Sequence, residues 1–330
     1  MLEKFINCWT RPAASKALNT SIYHIGVIKA ALAISLSIIV IISAITYLSY
    51  AASRRMYVIY IATTTSIKDS GLLDVVIPLF EEYMARQGFS IDVRYSAVGS
   101  GQAIEMGRRG DVDIVIAHAP ALERRFMDEG YGLCRKIFAY NFFILVGPRD
   151  DPLNISNTPS IQEAFRKIFN AGIRGDAKFI SRGDNSGTNL KEMEIWGLAG
   201  IDPRMVSNGW YIESGKGMGE TLLIAENLNG YTLTDTATWL RFKDKLPHLN
   251  VLIEASRELL NVYSVIIVRN AGRIDVAMEF LKFLIGEGQK VIGGYGVEEY
   301  GQPIFKPISS ADSMVLRWIK EMNMDFGSSC

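Results

Sequence analysis

The sequence predicts an α/β protein of two lobes with a transmembrane helix near its N-terminus. Three observations carry this prediction: one long apolar run near the start, an alternation of short β-branched runs with helical periodicity after it, and two apolar strands around a middle block that has its own α/β pattern. Of the 330 residues, 48% are hydrophobic. That is enough for a sizeable core, and it argues against a mainly disordered chain.

The apolar run covers residues 25–52, and Ala30 to Leu48 holds only apolar residues, serines and one threonine. About 20 such residues span a bilayer as a helix, whereas a signal peptide has a shorter apolar core. A retained anchor is therefore favoured over cleavage near the small residues 49–51. Basic residues are more frequent before the run than after it, so residues 1–24 are expected to be cytoplasmic and the rest extracytoplasmic.

After the anchor, strand-like and helical segments alternate in a β-α-β-α-β order, which is typical of a mainly parallel sheet covered by helices. The run from Gly71 to Gln87 has helical spacing, with Pro78 as a kink or a new first turn. Apolar strands at 142–147 and 262–268 bracket the middle block and would form the hinge. The expected parts are lobe 1 at 56–146, lobe 2 at 147–260, the return of lobe 1 at 261–308 and a tail at 309–330.

Charge and cysteine content exclude several classes of function. The 35 basic and 35 acidic residues balance, so the chain lacks the broad positive field of a nucleic-acid-binding protein. No His, Cys or carboxylate cluster has the spacing of a metal site. Cys134 and Cys330 could form a disulfide only if the fold brought the chain terminus beside Cys134. Any anion would have to be bound locally.

Four turns rich in hydrogen-bond donors stand where strands give way to helices. Ligands of open α/β sheets bind beyond the carboxyl ends of strands, where helix N-termini present free N–H groups. Arg182 adds a guanidinium that suits a tetrahedral oxyanion. Each turn also has a plain explanation as a helix cap, for example by Thr65 or Ser66. The turns are A-T-T-T-S (62–66), A-V-G-S-G-Q-A (97–103), S-R-G-D-N-S-G-T (181–188) and S-G-K-G-M-G-E-T (214–221).

An enzyme is the alternative from another class. Ser186, His118 and Asp235 could be imagined as a catalytic triad, but no G-x-S-x-G elbow occurs and no orienting partner for the histidine is evident from the sequence. The glycine-rich segment 209–217 has the wrong spacing for a phosphate-binding P-loop. The sequence therefore favours binding over catalysis, and no cofactor is expected.

The same motifs, in order, resemble those of the tungstate-binding receptor proteins of ABC importers, the Tup type. The resemblance covers roughly residues 61–307. S-R-x-D-x-S-G-T alone is also similar to phosphate-binding receptors. The resemblance rests on A-T-T-T-S-I-K-D-S-G-L-L-D, A-V-G-S-G-Q-A, G-D-V-D-I-V-I-A-H-A-P, E-G-Y-G, S-R-G-D-N-S-G-T, G-K-G-M-G-E-T-L and Y-T-L-T-D.

This resemblance implies a two-lobed periplasmic-binding-protein fold of type II topology, with the oxyanion held between the lobes. Two features depart from the family: the long N-terminal anchor, and Asn185 where aspartate is common. The residues expected to bind the oxyanion are Thr63, Thr64, Thr65, Ser66, Ser100, Arg182, Ser186, Thr188, Met218, Gly219 and Thr232, of which Ser100, Met218, Gly219 and Thr232 are the weaker carry-overs.

The expected ligand is tungstate or molybdate, which are too similar in size to be separated by sequence. Both are unprotonated dianions, so they need donors only, whereas phosphate carries a proton and needs an acceptor such as Asp184. Sulfate would be rejected by its smaller size. The expected partners are an ABC permease and its ATPase, reached by a membrane-tethered monomer. A phosphate receptor, a tethered enzyme acting on phosphorylated solutes and a sensor remain alternatives.

Overall fold

A computed structural model describes residues 13–52, 56–206 and 208–327 of the chain. The N-terminal part is one helix of 40 residues, α1 (Ala13–Ala52). Within it, Val27–Tyr47 has a mean hydropathy of 2.5 and is not buried, so by length and composition this segment could cross a membrane. The helix begins earlier than the apolar run, and residues 1–12 of the expected cytoplasmic segment lie outside the described residues.

The rest of the described chain, from Met56, forms one compact α/β unit. Its strands are β1 (Met56–Thr64), β2 (Ser90–Val98), β3 (Ile114–Ala117), β4 (Gly132–Pro148), β5 (Phe179–Ser181), β6 (Tyr211–Glu213), β7 (Thr232–Asp235), β8 (Leu249–Ile253), β9 (Leu260–Val268) and β10 (Lys306–Pro307). Its helices are α2 (Thr65–Ser70), α3 (Leu72–Arg86), α4 (Ser100–Arg109), α5 (Pro120–Asp128), α6 (Ile161–Ile173), α7 (Gly187–Leu198), α8 (Met218–Leu228), α9 (Thr236–Phe242), α10 (Ile274–Ile285), α11 (Gly288–Gly294), α12 (Val297–Tyr300) and α13 (Ser313–Glu321).

The main sheet is mixed, which corrects the expectation of a mainly parallel one. Strand β1 pairs in parallel with β2 and β3, but β9 runs antiparallel to both β3 and β4. The path along the sheet is β10-β4-β9-β3-β1-β2, and β7 and β8 also pair with β4. The antiparallel pairs arise because the chain crosses between its two halves along β4 and returns along β9 instead of through covering helices.

Strand β4 is much longer than the predicted strand at 142–147. It has 17 residues, and its partner changes along its length: the part up to Phe142 pairs with β9 and the part from Phe143 pairs with β7. A second, two-stranded parallel sheet joins β5 and β6. One strand, β4, therefore belongs to both halves of the fold, whereas β9 pairs only with β3 and the first part of β4.

Separate hydrophobic cores lie in the two halves. One is built on β1, α3 and α10 around Phe80 and Phe280, and another surrounds Trp196 and Trp210. Helix α9 falls within the predicted second lobe, yet its Ala237 and Leu240 belong to the first of these cores, because α9 packs against α2. The lobe boundaries at 146/147 and 260/261 stay predictions.

Two turns show how local sequence sets the ends of elements near the site. Gly71 separates α2 from α3 with φ of 76°, a left-handed conformation that glycine adopts without strain. Pro78 lies inside α3, which continues through it. The cap of α2 is Thr64, whose Oγ1 accepts the N–H of Ile67, so the expectation that Thr65 or Ser66 caps a helix here is wrong.

The C-terminal segment lies against the start of β4. The N–H of Arg135 donates to the carbonyl of Gly327 at 3.0 Å, and Phe326 lies between the guanidinium groups of Arg124 and Arg135. Cys134 is buried and disulfide-bonded. The other two cysteines of the chain lie outside the described residues.

Candidate functional site

The four donor-rich turns come together, each at the N-terminus of a helix. They lead into α2, α4, α7 and α8. The turns before α2 and α4 belong to the half that contains β1, and those before α7 and α8 belong to the half that contains β5. The turn before α4 lies against the turn before α7: a Cβ built on Gly101 would be 3.2 Å from the carbonyl oxygen of Asn185. This approach is tight, so a larger residue at position 101 would push the two turns apart by a few tenths of an ångström.

Side-chain contacts also join turns from opposite halves. The Nη1 of Arg182 donates to Thr65 Oγ1 at 3.2 Å, and α8 packs against α2 close to Gly219 and Asp69. Burial raises the pKa of Asp69, and the negative charge of Asp235 raises it further. Arg182 and α8 are therefore in contact with the turn that follows β1.

Four buried polar atoms at this meeting point have no hydrogen-bond partner among the described residues. They are Thr63 Oγ1, Ser100 Oγ, Arg182 Nε and Thr188 Oγ1, and the four residues are between 0% and 3% exposed. A buried polar group without a partner costs about 1–3 kcal/mol. All four can donate hydrogen bonds, and they come from three turns that contact one another, so these turns together suit an anion.

The S-R-G-D-N-S-G-T turn is held by its own hydrogen bonds. Asp184 accepts from Arg182 Nη2 at 2.5 Å through Oδ2 and from the N–H of Ser186 at 3.1 Å through Oδ1. Ser186 Oγ caps α7 by accepting the N–H of Asn189. The carboxylate of Asp184 is thus turned toward groups of its own loop.

The hydroxyl groups of the T-T-T-S turn are of two kinds. Thr64 Oγ1 lies 3.0 Å from Ser66 Oγ, which in turn lies 3.3 Å from His118 Nε2. Thr63 Oγ1 is unpartnered within the described chain, and Thr65 Oγ1 only accepts, from Arg182. The hydrogen bonds of Thr64 and Ser66 lead into the protein, whereas the hydroxyl protons of Thr63 and Thr65 are uncommitted.

The four residues that were the weaker candidates for ligand binding differ in what they contact. Thr232 Oγ1 donates to the carbonyl of Ile180 at 2.7 Å, and Met218 is buried in an apolar cluster with Ile180. Gly219 lies close to Asp69 on α2. Ser100, by contrast, places an unpartnered buried hydroxyl at the site. The binding roles of all these residues stay predictions.

Sequence reasoning missed two residues that hold or extend the site. Glu192, on α7, accepts hydrogen bonds from Ser181 Oγ at 2.5 Å and from Tyr211 OH at 2.7 Å, and burial raises its pKa to about 7. Thr234 is buried at the end of β7, with an Oγ1 that finds no partner in the described part of the chain. The alternation in Y-T-L-T-D could have indicated Thr234, but nothing local indicates Glu192.

A cavity of about 800 Å³ lies on another side of His118. Its wall is mostly apolar and includes Leu190, Val262 and Met322. None of the four unpartnered donor atoms belongs to a residue of this wall. Within the described residues, no group of three or more His, Cys, Asp or Glu side chains could hold a metal ion. The groups that could bind a polar ligand are therefore concentrated at the four turns.

This fold and this ring of donors are those of a solute-binding protein. The PBP superfamily domain matches residues 49–287, and the chain belongs to that superfamily. Within it, the chain belongs to the same family as the TupA proteins, since it is 40% identical over 256 residues to the tungstate-binding protein TupA of Peptoclostridium acidaminophilum. The match spans 76% of this chain and 85% of that protein.

Two solved structures are similar in both sequence and fold. The tungstate ABC transporter protein from Geobacter sulfurreducens is 39% identical with a TM-score of 0.62, over 72% of this chain and 98% of that one. The tungstate-binding protein TupA from Desulfovibrio alaskensis G20 is 35% identical with a TM-score of 0.63, over 76% and 98%. These matches confirm the expected α/β fold of two lobes and the family resemblance.

Proposed function

We propose that the protein is an extracytoplasmic receptor that captures tungstate between its two lobes and delivers it to an ABC permease. The observation that carries this proposal is the set of four unpartnered, buried donors from Thr63, Ser100, Arg182 and Thr188. Their shared requirement is an acceptor with several oxygens, and a tetrahedral oxyanion meets it. The names of the relatives support tungstate as that anion.

The orientation of Asp184 supports an unprotonated dianion over phosphate. Both of its carboxylate oxygens accept hydrogen bonds from its own loop, from Arg182 and from Ser186. The proton of a phosphate monoanion or dianion would have to use the lone pairs that these bonds leave on Asp184. Tungstate, molybdate and sulfate carry no proton at neutral pH and need none.

Size must then separate the three dianions. Sulfate is smaller, so donors placed for a larger ion would be left partly unbonded. Molybdate is nearly as large as tungstate, and we expect the two to compete for the same site. The preference for tungstate rests on the relatives, and molybdate is the second ligand to test.

Calorimetric titration of the full chain in detergent with tungstate, molybdate, sulfate and phosphate tests the proposal. We expect tight binding of tungstate, competition by molybdate, and no heat from sulfate or phosphate at matched concentrations. Stronger binding of phosphate than of tungstate, or silence toward all four anions by a folded protein, would refute it.

The apolar segment Val27–Tyr47 supports a role as a retained membrane anchor for a monomeric receptor. Tethering would keep the receptor close to its permease and raise its effective concentration there. Mass spectrometry of the protein purified from membranes tests this point. The mass of the full chain is expected, whereas a mass that lacks roughly the first 50 residues would indicate a cleaved signal peptide.

An enzymatic alternative has one observation in its favour. His118 has an orienting partner, because its Nδ1 lies 3.0 Å from Asn261 Oδ1. The serine on its other nitrogen is Ser66 and not Ser186. Burial lowers the pKa of His118, which makes it a weak base. Turnover of phosphorylated or acylated solutes by the full chain, abolished by Ser66→Ala, would support this alternative.

A further inference from the structure

A chain of buried side chains leads from the candidate anion site to the start of α9. It runs from Ser66 through His118, Asn261 and Asn141 to Asp235, with contacts of 3.3, 3.0, 2.8 and 3.3 Å in that order. All five residues are at most 3% exposed. The imidazole of His118 also stacks on the ring of Tyr263, with 4.9 Å between centroids. The ring is therefore held by stacking and at both nitrogens.

The direction of the hydrogen bonds is set at the Asp235 end. Asp235 Oδ1 accepts the N–H of Thr238, and Oδ2 accepts the Thr238 hydroxyl. Asn141 contacts Oδ1 as well, so it must present its Nδ2, because its carbonyl would place two acceptors together. The Oδ1 of Asn141 is then left to accept from Asn261 Nδ2.

The same assignment of donors and acceptors extends to the imidazole of His118. The Nδ2 of Asn261 donates to Asn141 Oδ1 and to the Tyr263 hydroxyl, which uses both of its hydrogens. Its Oδ1 therefore faces His118 Nδ1 as an acceptor, and Nδ1 must carry the proton. Burial lowers the pKa of His118 and favours the neutral ring. Nε2 is left as a lone pair directed at Ser66 Oγ.

We propose that His118 is a positioning residue of the anion site, because it decides which hydroxyls of the T-T-T-S turn donate to the ligand. The lone pair of Nε2 accepts a hydrogen bond from the hydroxyl of Ser66, and Ser66 Oγ in turn accepts one from the hydroxyl of Thr64. Both hydroxyl protons point away from the site. The ligand receives the hydroxyl protons of Thr63 and Thr65 instead.

This assignment rests on the proposed oxyanion receptor and refines it. Thr64 Oγ1 already accepts the N–H of Ile67, and its proton is used by Ser66, so its hydroxyl has no further donor to offer. Thr64 and Ser66 could contribute to an anion only through backbone N–H groups. A cage whose protons are fixed in advance needs no reorientation when the anion enters, which favours binding.

His118 touches the facing turn as well. A Cβ built on Gly187, the first residue of α7, would lie 2.7 Å from the imidazole. The ring therefore packs directly on the backbone at the start of α7, one residue before Thr188. The side chain of His118 thus orients the hydroxyl groups of the turn after β1, and it also limits how closely the turn before α7 can approach.

Nitrogen-15 NMR of the full chain labelled at histidine tests the proton assignment without ligand. The three histidines are assigned with His24→Gln and His248→Gln. The Nδ1–H tautomer of His118 is expected, and Ser66→Ala should shift the Nε2 resonance while Thr63→Val should not. An Nε2–H tautomer, a charged ring, or an Nε2 resonance indifferent to Ser66→Ala would overturn the proposal.

Calorimetry with tungstate tests the consequence for binding. Thr63→Val and Thr65→Val are expected to raise Kd about tenfold. Ser66→Ala should raise it less than either, because the Ser66 hydroxyl points away from the ligand. His118→Phe keeps the ring stacking and should raise Kd about tenfold, because Ser66 loses its acceptor. Adding Ser66→Ala should then restore most of the affinity. A loss that Ser66→Ala does not restore would mean a purely structural role and overturn the proposal.

The two measurements separate this inference from the proposed function. If the wild-type chain binds none of the four oxyanions, the proposed function fails whatever the tautomer of His118. If it binds tungstate but His118 carries its proton on Nε2, or Ser66→Ala weakens binding as strongly as Thr65→Val, only the role of His118 fails.

Discussion

A threonine hydroxyl is useful to an anion only if its proton is not already committed. Thr188 and Thr232 are both buried, and both were expected to bind the ligand. The hydroxyl of Thr188 has no partner within the described residues, whereas that of Thr232 donates to Ile180. The two residues should therefore behave differently when the hydroxyl is removed.

Thr188→Val is expected to weaken tungstate binding about tenfold, since one neutral hydrogen bond to the ligand is lost. Thr232→Val should leave the affinity nearly unchanged and instead lower the free energy of unfolding by about 1 kcal/mol, because the carbonyl of Ile180 loses its donor. Calorimetry and urea unfolding of both variants check this. Equal losses of affinity would mean that Thr232 also contacts the ligand.

Arg182 supplies permanent positive charge at the site, with 3% of its side chain exposed. We expect Arg182→Ala to weaken tungstate binding by about 100-fold or more, because a charge-assisted hydrogen bond is lost. Arg174→Ala is the matched control, since Arg174 is exposed and pairs with Asp176. Circular dichroism should show both variants folded. Unchanged affinity in Arg182→Ala would contradict its role.

At the residue scale, sequence reasoning could find the donors but not the direction of their hydrogen bonds. Residue type and placement were enough to predict Arg182 and the four turns as candidates, and the family resemblance added Thr188 and the individual residues of the T-T-T-S turn. The engagement of Thr232 with Ile180, and of Gly219 with Asp69, depends on contacts between segments far apart in the chain. Those contacts leave no local pattern in the sequence.

Helix α7 is tied to the strand before it by Glu192. This carboxylate accepts from Ser181 at the end of β5 and from Tyr211 on β6, so it braces the loop that carries Arg182. Its burial raises the pKa to about 7. A group with such a pKa makes the stability of the element depend on pH.

The folded state holds a proton on Glu192 more tightly than the unfolded state does. Its contribution to stability is therefore complete below the ordinary pKa of 4.5 and is lost as the pH rises through about 7. At about 1.4 kcal/mol per pKa unit, the loss amounts to at most about 3 kcal/mol. We expect the difference in unfolding free energy between wild type and Glu192→Gln to change by up to this amount between pH 4.5 and 8.

Urea unfolding at several pH values checks this prediction. Glu194→Gln is the control on the same helix, because Glu194 is largely exposed and pairs with Lys191. Taking differences between variants removes the contributions of Asp69 and His118, whose pKa values are also shifted. A wild-type minus Glu192→Gln difference that does not vary with pH would rule out the assignment.

Elements were predictable from the sequence where periodicity was strong. Helix α3 and the apolar strands of β4 and β9 were expected close to their observed places, because amphipathic spacing and β-branched runs reflect burial directly. The full length of β4 was missed, since its first half, G-L-C-R-K-I-F-A-Y, mixes charged and apolar residues. The antiparallel pairing of β9 was missed because strand direction is set by chain crossovers and not by local composition.

For the whole body, the contact between His118 and Gly187 predicts how lobe closure could be blocked. Gly187→Ala would place a Cβ 2.7 Å from the imidazole, which the present arrangement of α7 cannot accept. We expect tungstate to bind at least about tenfold more weakly, and small-angle scattering to show no compaction on adding tungstate.

Gly197→Ala provides the matched control for this prediction. Gly197 lies in the same helix, and no atom lies within 4 Å of a Cβ built on it. This variant should bind tungstate and compact as the wild type does. If Gly187→Ala also binds and compacts normally, then the close approach of α7 to His118 is not needed in the ligand-bound state.

Strand β4 exchanges its neighbour between Phe142, opposite Leu260, and Phe143, opposite Asp235. Twist can accumulate at this exchange without breaking a hydrogen bond, because no single ladder has to shear. The strand can thus twist about a single peptide unit, the one between Phe142 and Phe143. Rotation of the two halves about this peptide would leave the strand intact, but it would have to break the contact of Arg182 Nη1 with Thr65 Oγ1 that joins turns of opposite halves.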